Sequence, residues 1–300
     1  MQINVLRAIG LMLGAMAFLA VSDVFIKLAS QRAPLGQVMV SMSLGGTALF
    51  LALAAIKRVR IFTADALHPM VLLRNAFEIV GGLGLIVGIS KVPLSVFAAI
   101  MQAAPLVVTL GAALFLREEV GWRRWTAIAV GLVGMLLVIR PFGAEFSGWE
   151  LFAVMGVVGL AARDLVTRLS PESIPSLAIS TWGFMAIIVP GLALLIFEAK
   201  PMTAEPLALV YIAAMVVVTA LGYLCVTTAM RLAPAAIVSP FRYTRLVFTT
   251  GLGMAVFGER PGLPTLAGGA LILAAGLYTF ARERRLAIRT AAASRPAAAG

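Results

Sequence analysis

The chain has 300 residues, of which 61% are hydrophobic and only 12% charged, and its mean hydropathy is +1.03. Soluble domains run about 45–50% apolar with about a quarter of residues charged, so this composition excludes a water-facing globule and places the chain in a bilayer. The net charge of +11 does not indicate nucleic acid, because the cations are not gathered beside base-reading groups but stand in short clusters between apolar runs, as membrane orientation requires.

A helix crossing about 30 Å of hydrocarbon needs roughly 20 mostly apolar residues. Ten stretches meet that length in chain order: Ala8–Leu28, Gly36–Ile56, Pro69–Ile89, Ser95–Leu116, Trp122–Ile139, Trp149–Leu169, Pro175–Phe197, Leu207–Met230, Ala236–Phe257 and Pro264–Ala281. Short connections rich in Pro and charge separate them, such as KRVRIFTADAL (57–67), REEVGWRR (117–124) and EAKPMTAEP (198–206). The residues beyond 281 turn basic and Ala-rich and are expected to form a disordered cytoplasmic tail over 282–300.

Orientation follows from the cations. With the N-terminus inside, the inner side, termini included, carries fourteen Lys and Arg and the outer side six, which places both termini in the cytoplasm. The localisation expected is a bacterial-type inner membrane.

Shifting the sequence by 141 residues lays Asp23 on Asp164, Pro34 on Pro175, Gly81 on Gly222, Pro93 on Pro234 and Glu118 on Glu259 without a gap. Each half then holds five spans, an odd number, so the second half enters the membrane from the opposite side. The chain is therefore read as an all-α membrane protein of two inverted-topology five-helix repeats, 1–147 and 148–281. Arg7 ahead of an apolar run mimics a signal peptide, but the Asp23–Asp164 match makes the first span a retained helix.

Catalytic chemistry finds no foothold. Cys225 is the only cysteine and His68 the only histidine, which excludes Cys–His catalysis and zinc sites, and there is no HExxH, GxSxG or Walker loop. No enzyme activity, metal or cofactor is expected.

Ionisable groups inside spans are expensive and therefore candidates for function. Arg74 and Glu78, four apart on span three with Asn75 adjacent, are read as a polar cavity patch or a buried ion pair. Arg242 and Tyr243 on span nine offer a bidentate anion donor and an amphipathic ring; Arg245 is expected to snorkel toward the inner interface. Gln102, Trp182 and Tyr223 sit mid-span and complete the candidate substrate-binding set. Asp23 with Lys27 and Asp164 with Arg168 repeat an acid–base i,i+4 pair in both halves and are read as gating or structural pairs. Pro105 is the candidate helix-bending residue. Glu118 and Glu259 are expected to hold interfacial loops.

The runs FAAIMQAAPLVVTLGAALFLREEVGWRRWTAIAVGLVGMLLVI (97–139) and SPFRYTRLVFTTGLGMAVFGERPGLPTLAGGALILAAGLYTF (239–280) resemble the signature of EamA-type transporters in the drug/metabolite transporter superfamily. Lys27, Pro105, Glu118 and Glu259 match that pattern, while Leu246 stands where Pro105 would repeat, so span nine is expected not to bend as span four does. The resemblance implies a ten-helix carrier in which spans one to four and six to nine surround a cavity. It is similar in particular to bacterial exporters of aromatic and neutral amino acids.

The function expected is alternating-access export of neutral, hydrophobic or aromatic amino acids, with a small-molecule substrate, the lipid bilayer and protons as partners and no nucleic acid. Import of a vitamin or cofactor-like metabolite such as riboflavin is the alternative. A non-transporting membrane scaffold would show packed apolar faces where Glu78 and Gln102 stand, and a passive channel would show a continuous pore.

Overall fold

A computed structural model describes residues 2–117, 121–143, 146–171 and 173–293. Among these residues all regular structure is helical: α1 Gln2–Ser30, α2 Leu35–Lys57, α3 Pro69–Lys91, α4 Leu94–Met101, α5 Ala104–Phe115, α6 Trp122–Ile139, α7 Glu150–Leu169, α8 Ser176–Glu198, α9 Pro206–Leu232, α10 Ala235–Val238, α11 Thr244–Phe257 and α12 Leu263–Ala293. Proline stands at the start of most of the long helices, where its missing N–H and fixed φ are harmless. Pro34 and Pro175, one repeat apart, precede α2 and α8; Pro93 and Pro234 precede α4 and α10.

Among the described residues eight helices, taking α4 with α5 as one, are long and apolar enough to cross a membrane. The chain is an all-α, multi-pass membrane protein. The helix α7 and the α10–α11 stretch fall outside that set, the first diluted by Arg163, Asp164 and Arg168 and the second by a break. Large apolar side chains point outward along the helices, among them Leu114, Val133, Val210, Val247 and Leu266. Hydrocarbon is the solvent such a belt needs.

The two halves interleave. Helix α3 packs along α7, α1 along α9, α2 along α8, α6 along α12, and α4 against α11. Every pair joins a helix of the first half to one of the second, and the 141-residue shift turns the α1–α9 pair into the α7–α3 pair. At the α3–α7 seam a Cβ on Gly159 would lie 2.5 Å from the Gly81 nitrogen, and one on Gly84 would strike the Gly156 backbone. Only glycine allows backbones this close.

Two of the ten expected spans are interrupted at corresponding places. Between α4 and α5 the chain turns at Gln102 and Ala103, ahead of Pro105, whose ring denies the Met101 carbonyl its helical donor. Between α10 and α11 a 3-10 turn runs over Ser239–Tyr243. This corrects the expectation that Leu246 leaves span nine unbent. Pro240 inside the turn removes the N–H instead, so a proline at a different register produces a break at the equivalent level.

The backbone of α12 runs on to Ala293, where a disordered tail was expected from 282. No Gly or Pro interrupts 277–293, and the Ala, Leu and Arg there are strong helix formers. Residues 294–300 lie outside the described residues, as does Glu118.

Candidate functional site

A cavity of about 940 Å³ lies between the halves. It ends inside the bundle against Ile26, Leu85 and Phe97. It extends to the face where α5 and α7 end and α6 begins, lined there by Ala112, Arg124 and Arg168. We call this the near face, because α1 starts there. The far face, where α1 ends, is tied shut by polar links between the halves.

Those far-face links are specific. Glu259 of the α11–α12 connection accepts hydrogen bonds from the N–H groups of Leu94 (2.6 Å) and Ser95 (3.0 Å) and from the Ser95 hydroxyl (2.9 Å). It thereby satisfies the first donors of α4 and sits at the positive end of that helix. Gly258, with φ +64, ends α11 in the left-handed turn that brings Glu259 back toward α4. Lys27 donates to Glu259 (3.0 Å) and to the Val92 carbonyl (2.9 Å), and its ammonium lies 5.0 Å from the centre of the Phe257 ring. Burial pushes the Glu259 carboxyl up, but the Ser95 and Leu94 donors and Lys27 outweigh it, and the group is held below the ordinary carboxylate range. Glu198 likewise accepts from the N–H groups of Leu35 (3.2 Å) and Gly36 (3.5 Å) at the start of α2, and Gln37 exchanges two hydrogen bonds with the Thr203 backbone.

The i,i+4 pairs expected for Asp23 and Asp164 do not form as drawn. Asp23 is 2% exposed and takes Arg245 (2.7 and 3.2 Å) and the Thr249 hydroxyl from α11, while Lys27 is drawn away to Glu259. Arg245 therefore lines the cavity as the partner of Asp23 and does not snorkel to the interface. Asp164 takes its own neighbour Arg163, whose long side chain curls back to place Nη2 at 2.6 Å. Arg168 lines the near end of the cavity.

Arg74 and Glu78 do pair, at 2.5 Å, and Arg74 also donates to Asn75 (3.0 Å). From the opposite side Arg163 donates to Glu78 at 3.0 Å. Glu78 thus stands between two guanidinium groups. Glu78 and Arg163 face the cavity, whereas Arg74 and Asn75 lie behind it, the Arg74 guanidinium filling the space opened by Gly183 of α8. The repeat-equivalent contact in the other half is Ser22 to Thr219, a hydroxyl pair at 2.6 Å.

Gln102 donates to the Tyr243 carbonyl (2.9 Å), and both line the cavity with Pro105, Tyr223 and Arg242. The ring of Tyr223 meets Phe184 (5.9 Å) and Phe50 (5.7 Å) edge-on, and Phe184 and Tyr223 face the cavity. Trp182 and Lys27 do not line it. Trp182 is 6% exposed and donates to the Ile61 carbonyl (3.1 Å), holding the α2–α3 connection against α8. Arg163, Arg245, Phe184, Ser22 and Thr219 are cavity residues outside the set read from sequence. The two arginines had a signal, since both stand well inside apolar stretches read as spans. Among the described residues no cluster of three His, Cys, Asp or Glu side chains is placed to hold a metal ion.

Comparison with known proteins bears on this cavity. A family model described as "EamA-like transporter family" matches the chain twice, over residues 6–140 and 147–281, and the two matches are displaced by 141 residues at both ends. The chain is 31% identical over 245 residues to a riboflavin transporter of Rhizobium johnstonii, covering 80% of each chain. It is 26% identical over 201 residues to an S-adenosylmethionine uptake transporter of Rickettsia bellii, covering 66% of this chain and 67% of that one. It is also 27% identical over 267 residues to a pseudopaline exporter of Pseudomonas aeruginosa, covering 85% and 89%. A solved crystal structure superposes with a TM-score of 0.59 at 14% identity, over 91% of this chain and 97% of that one, which speaks for the fold alone.

Proposed function

Because the chain belongs to the EamA-like transporter family of the drug/metabolite transporter superfamily, we propose that it is a ten-span secondary carrier working by alternating access across an inner membrane. In this reading 1–147 and 148–281 are inverted repeats, the near face is cytoplasmic, and the ends of the ten-span body lie on that side. One observation carries the proposal. A cavity between the halves reaches one face only, while the other face is closed by the Lys27–Glu259–Leu94 and Glu198–Leu35 links. A scaffold has no use for such a cavity, and a channel would not end against Ile26 and Phe97.

The cargo proposed is a small metabolite with a ring or apolar body and a charged head. Phe184 and Tyr223 offer rings to the body, and the cavity carries both carboxylates and guanidinium groups for a zwitterionic head. Amino acids and amino-acid derivatives fit this description, and S-adenosylmethionine, the cargo named for one relative, is such a derivative. The second reading is a vitamin such as riboflavin, favoured by the relative that is 31% identical. Direction follows the driving force, and the relatives include both an uptake carrier and an exporter.

The test is uptake into proteoliposomes, with and without preloading and a pH gradient, of labelled neutral and aromatic amino acids, S-adenosylmethionine and riboflavin. Saturable uptake of one class, accelerated by preloading, is the expected result. Unsaturable flux, or none above empty liposomes for the whole panel, overturns it.

A further inference from the structure

We propose that Arg242 is the anchor for a single oxyanion on the substrate, so that the cavity selects acids over their neutral counterparts. The inference rests on reading this cavity as the substrate site and names the chemistry that it recognises.

Charge matching within the cavity leads there. Its lining holds the carboxylates of Asp23, Glu78 and Asp164 and the guanidinium groups of Arg124, Arg163, Arg168, Arg242 and Arg245. Asp23 is matched by Arg245, Glu78 by Arg74 and Arg163, and Asp164 by Arg163. Arg124 and Arg168 have contacts of their own. Among the described residues, no carboxylate or other acceptor is bonded to the Arg242 guanidinium, which is exposed to the cavity. A guanidinium that faces the cavity without a carboxylate of its own is available to an arriving anion.

The surroundings suit that role. Arg242 sits on the 3-10 turn at the break of span nine, and its neighbour Tyr243 is held in place through its carbonyl by Gln102. The fork of N–H donors on a guanidinium matches a carboxylate or a phosphate monoester with two parallel hydrogen bonds. Tyr223, within electrostatic reach of Arg242, and its ring partner Phe184 then receive the body of the molecule. The one guanidinium of Arg242 suits one oxyanion and by itself leaves a diphosphate under-compensated.

The closing experiment has two arms. In proteoliposomes, L-phenylalanine is compared with its amide, and flavin mononucleotide with riboflavin, for wild type, Arg242→Gln and Arg242→Lys. The acid of one pair is expected to be preferred, a carboxylate or a phosphate according to which pair responds. Arg242→Gln is expected to weaken its apparent affinity roughly 10- to 100-fold, the loss of a charge-assisted hydrogen-bond pair. Arg242→Lys, keeping charge without the fork, is expected to fall between. In the second arm the purified protein is treated with the arginine reagent phenylglyoxal and mapped by mass spectrometry, with each of the four probes present in turn. Arg242 is expected to react readily alone and to be protected by the acid and not by its neutral counterpart.

Equal transport of acid and neutral forms with no effect of Arg242→Gln overturns the proposal while leaving a carrier. Unreactive Arg242, or reactivity that no acid protects, overturns it as well. Protection by an acid without any transport keeps the anion site and overturns the carrier reading instead.

Discussion

The Gln102 amide donates to the backbone carbonyl of Tyr243 at 2.9 Å, and these two residues are 141 apart, the offset of the repeat. Equivalent positions of the two halves therefore touch each other, at the two helix breaks, on the wall of the cavity. The contact is chemically unequal, because one half supplies a side chain and the other a main-chain carbonyl at the end of its 3-10 turn. Removing the donor should loosen the junction. Gln102→Leu is expected to lower stability by about 1 kcal/mol, the net worth of one such bond. Gln102→Glu is expected to do the same, since an ionised carboxylate cannot donate. Thermal unfolding of the purified variants in one detergent measures both.

Glu78 is a buried carboxylate shared by Arg74 and Arg163. Glu78→Gln leaves both guanidinium groups short of counter-charge, and breaking a buried pair in this way costs about 3–5 kcal/mol. The side chain of Asp164 is 53% exposed, so Asp164→Asn is expected to cost no more than about 1 kcal/mol. A comparison of their unfolding midpoints checks the order. Equal losses would show that Arg163 depends on Asp164 as much as on Glu78.

The far-face link should depend on pH in one direction. Because the Glu259 carboxyl is held below its ordinary value of 4.5 in the folded chain, its contribution is fully present above that value and is lost as pH falls through the lowered one. Wild type is therefore expected to be more stable than Glu259→Gln at neutral pH. The gap should shrink in acid, below pH 4.5. Unfolding midpoints across that range measure it, and a gap independent of pH would assign the loss to packing.

The α3–α7 seam tolerates no added atom. A Cβ at Gly84 meets the Gly156 backbone, which has no rotamer to change, so Gly84→Ala is expected to destabilise by about 1–3 kcal/mol. Gly10 on α1 has open space around it, and there Gly10→Ala is expected to stabilise by about 0.5–1 kcal/mol through helix propensity alone. The two substitutions have opposite signs, and one melting series decides both.

Much of this molecule was legible in its residues. The 141-residue offset placed Pro34 and Pro175, and Pro93 and Pro234, at matching helix starts, because proline acts locally on its own backbone. Pro240 carries the same local signal and was hidden only because attention fell on Leu246, the residue in register with Pro105. The i,i+4 rule succeeded for Arg74 and Glu78 and failed for Asp23 and Lys27. Both pairs are geometrically possible, but α11 offers Asp23 an arginine and the α11–α12 connection offers Lys27 a carboxylate.

The amino-acid sequence by itself determined that the chain is a helical membrane protein, where many of its helices start, and that its halves correspond at an offset of 141 residues. Those properties rest on composition and on short-range chemistry, which each segment carries wherever it lies. Only the tertiary structure decided which ions pair, which of the candidate residues line the cavity, that Trp182 bonds the α2–α3 connection and Lys27 bonds Glu259, and that, among the described residues, no acceptor is bonded to the Arg242 guanidinium. Partner choice in hydrocarbon is a competition among groups brought close by helix packing, and residues as distant as Asp23 and Arg245 meet only after the halves have interleaved.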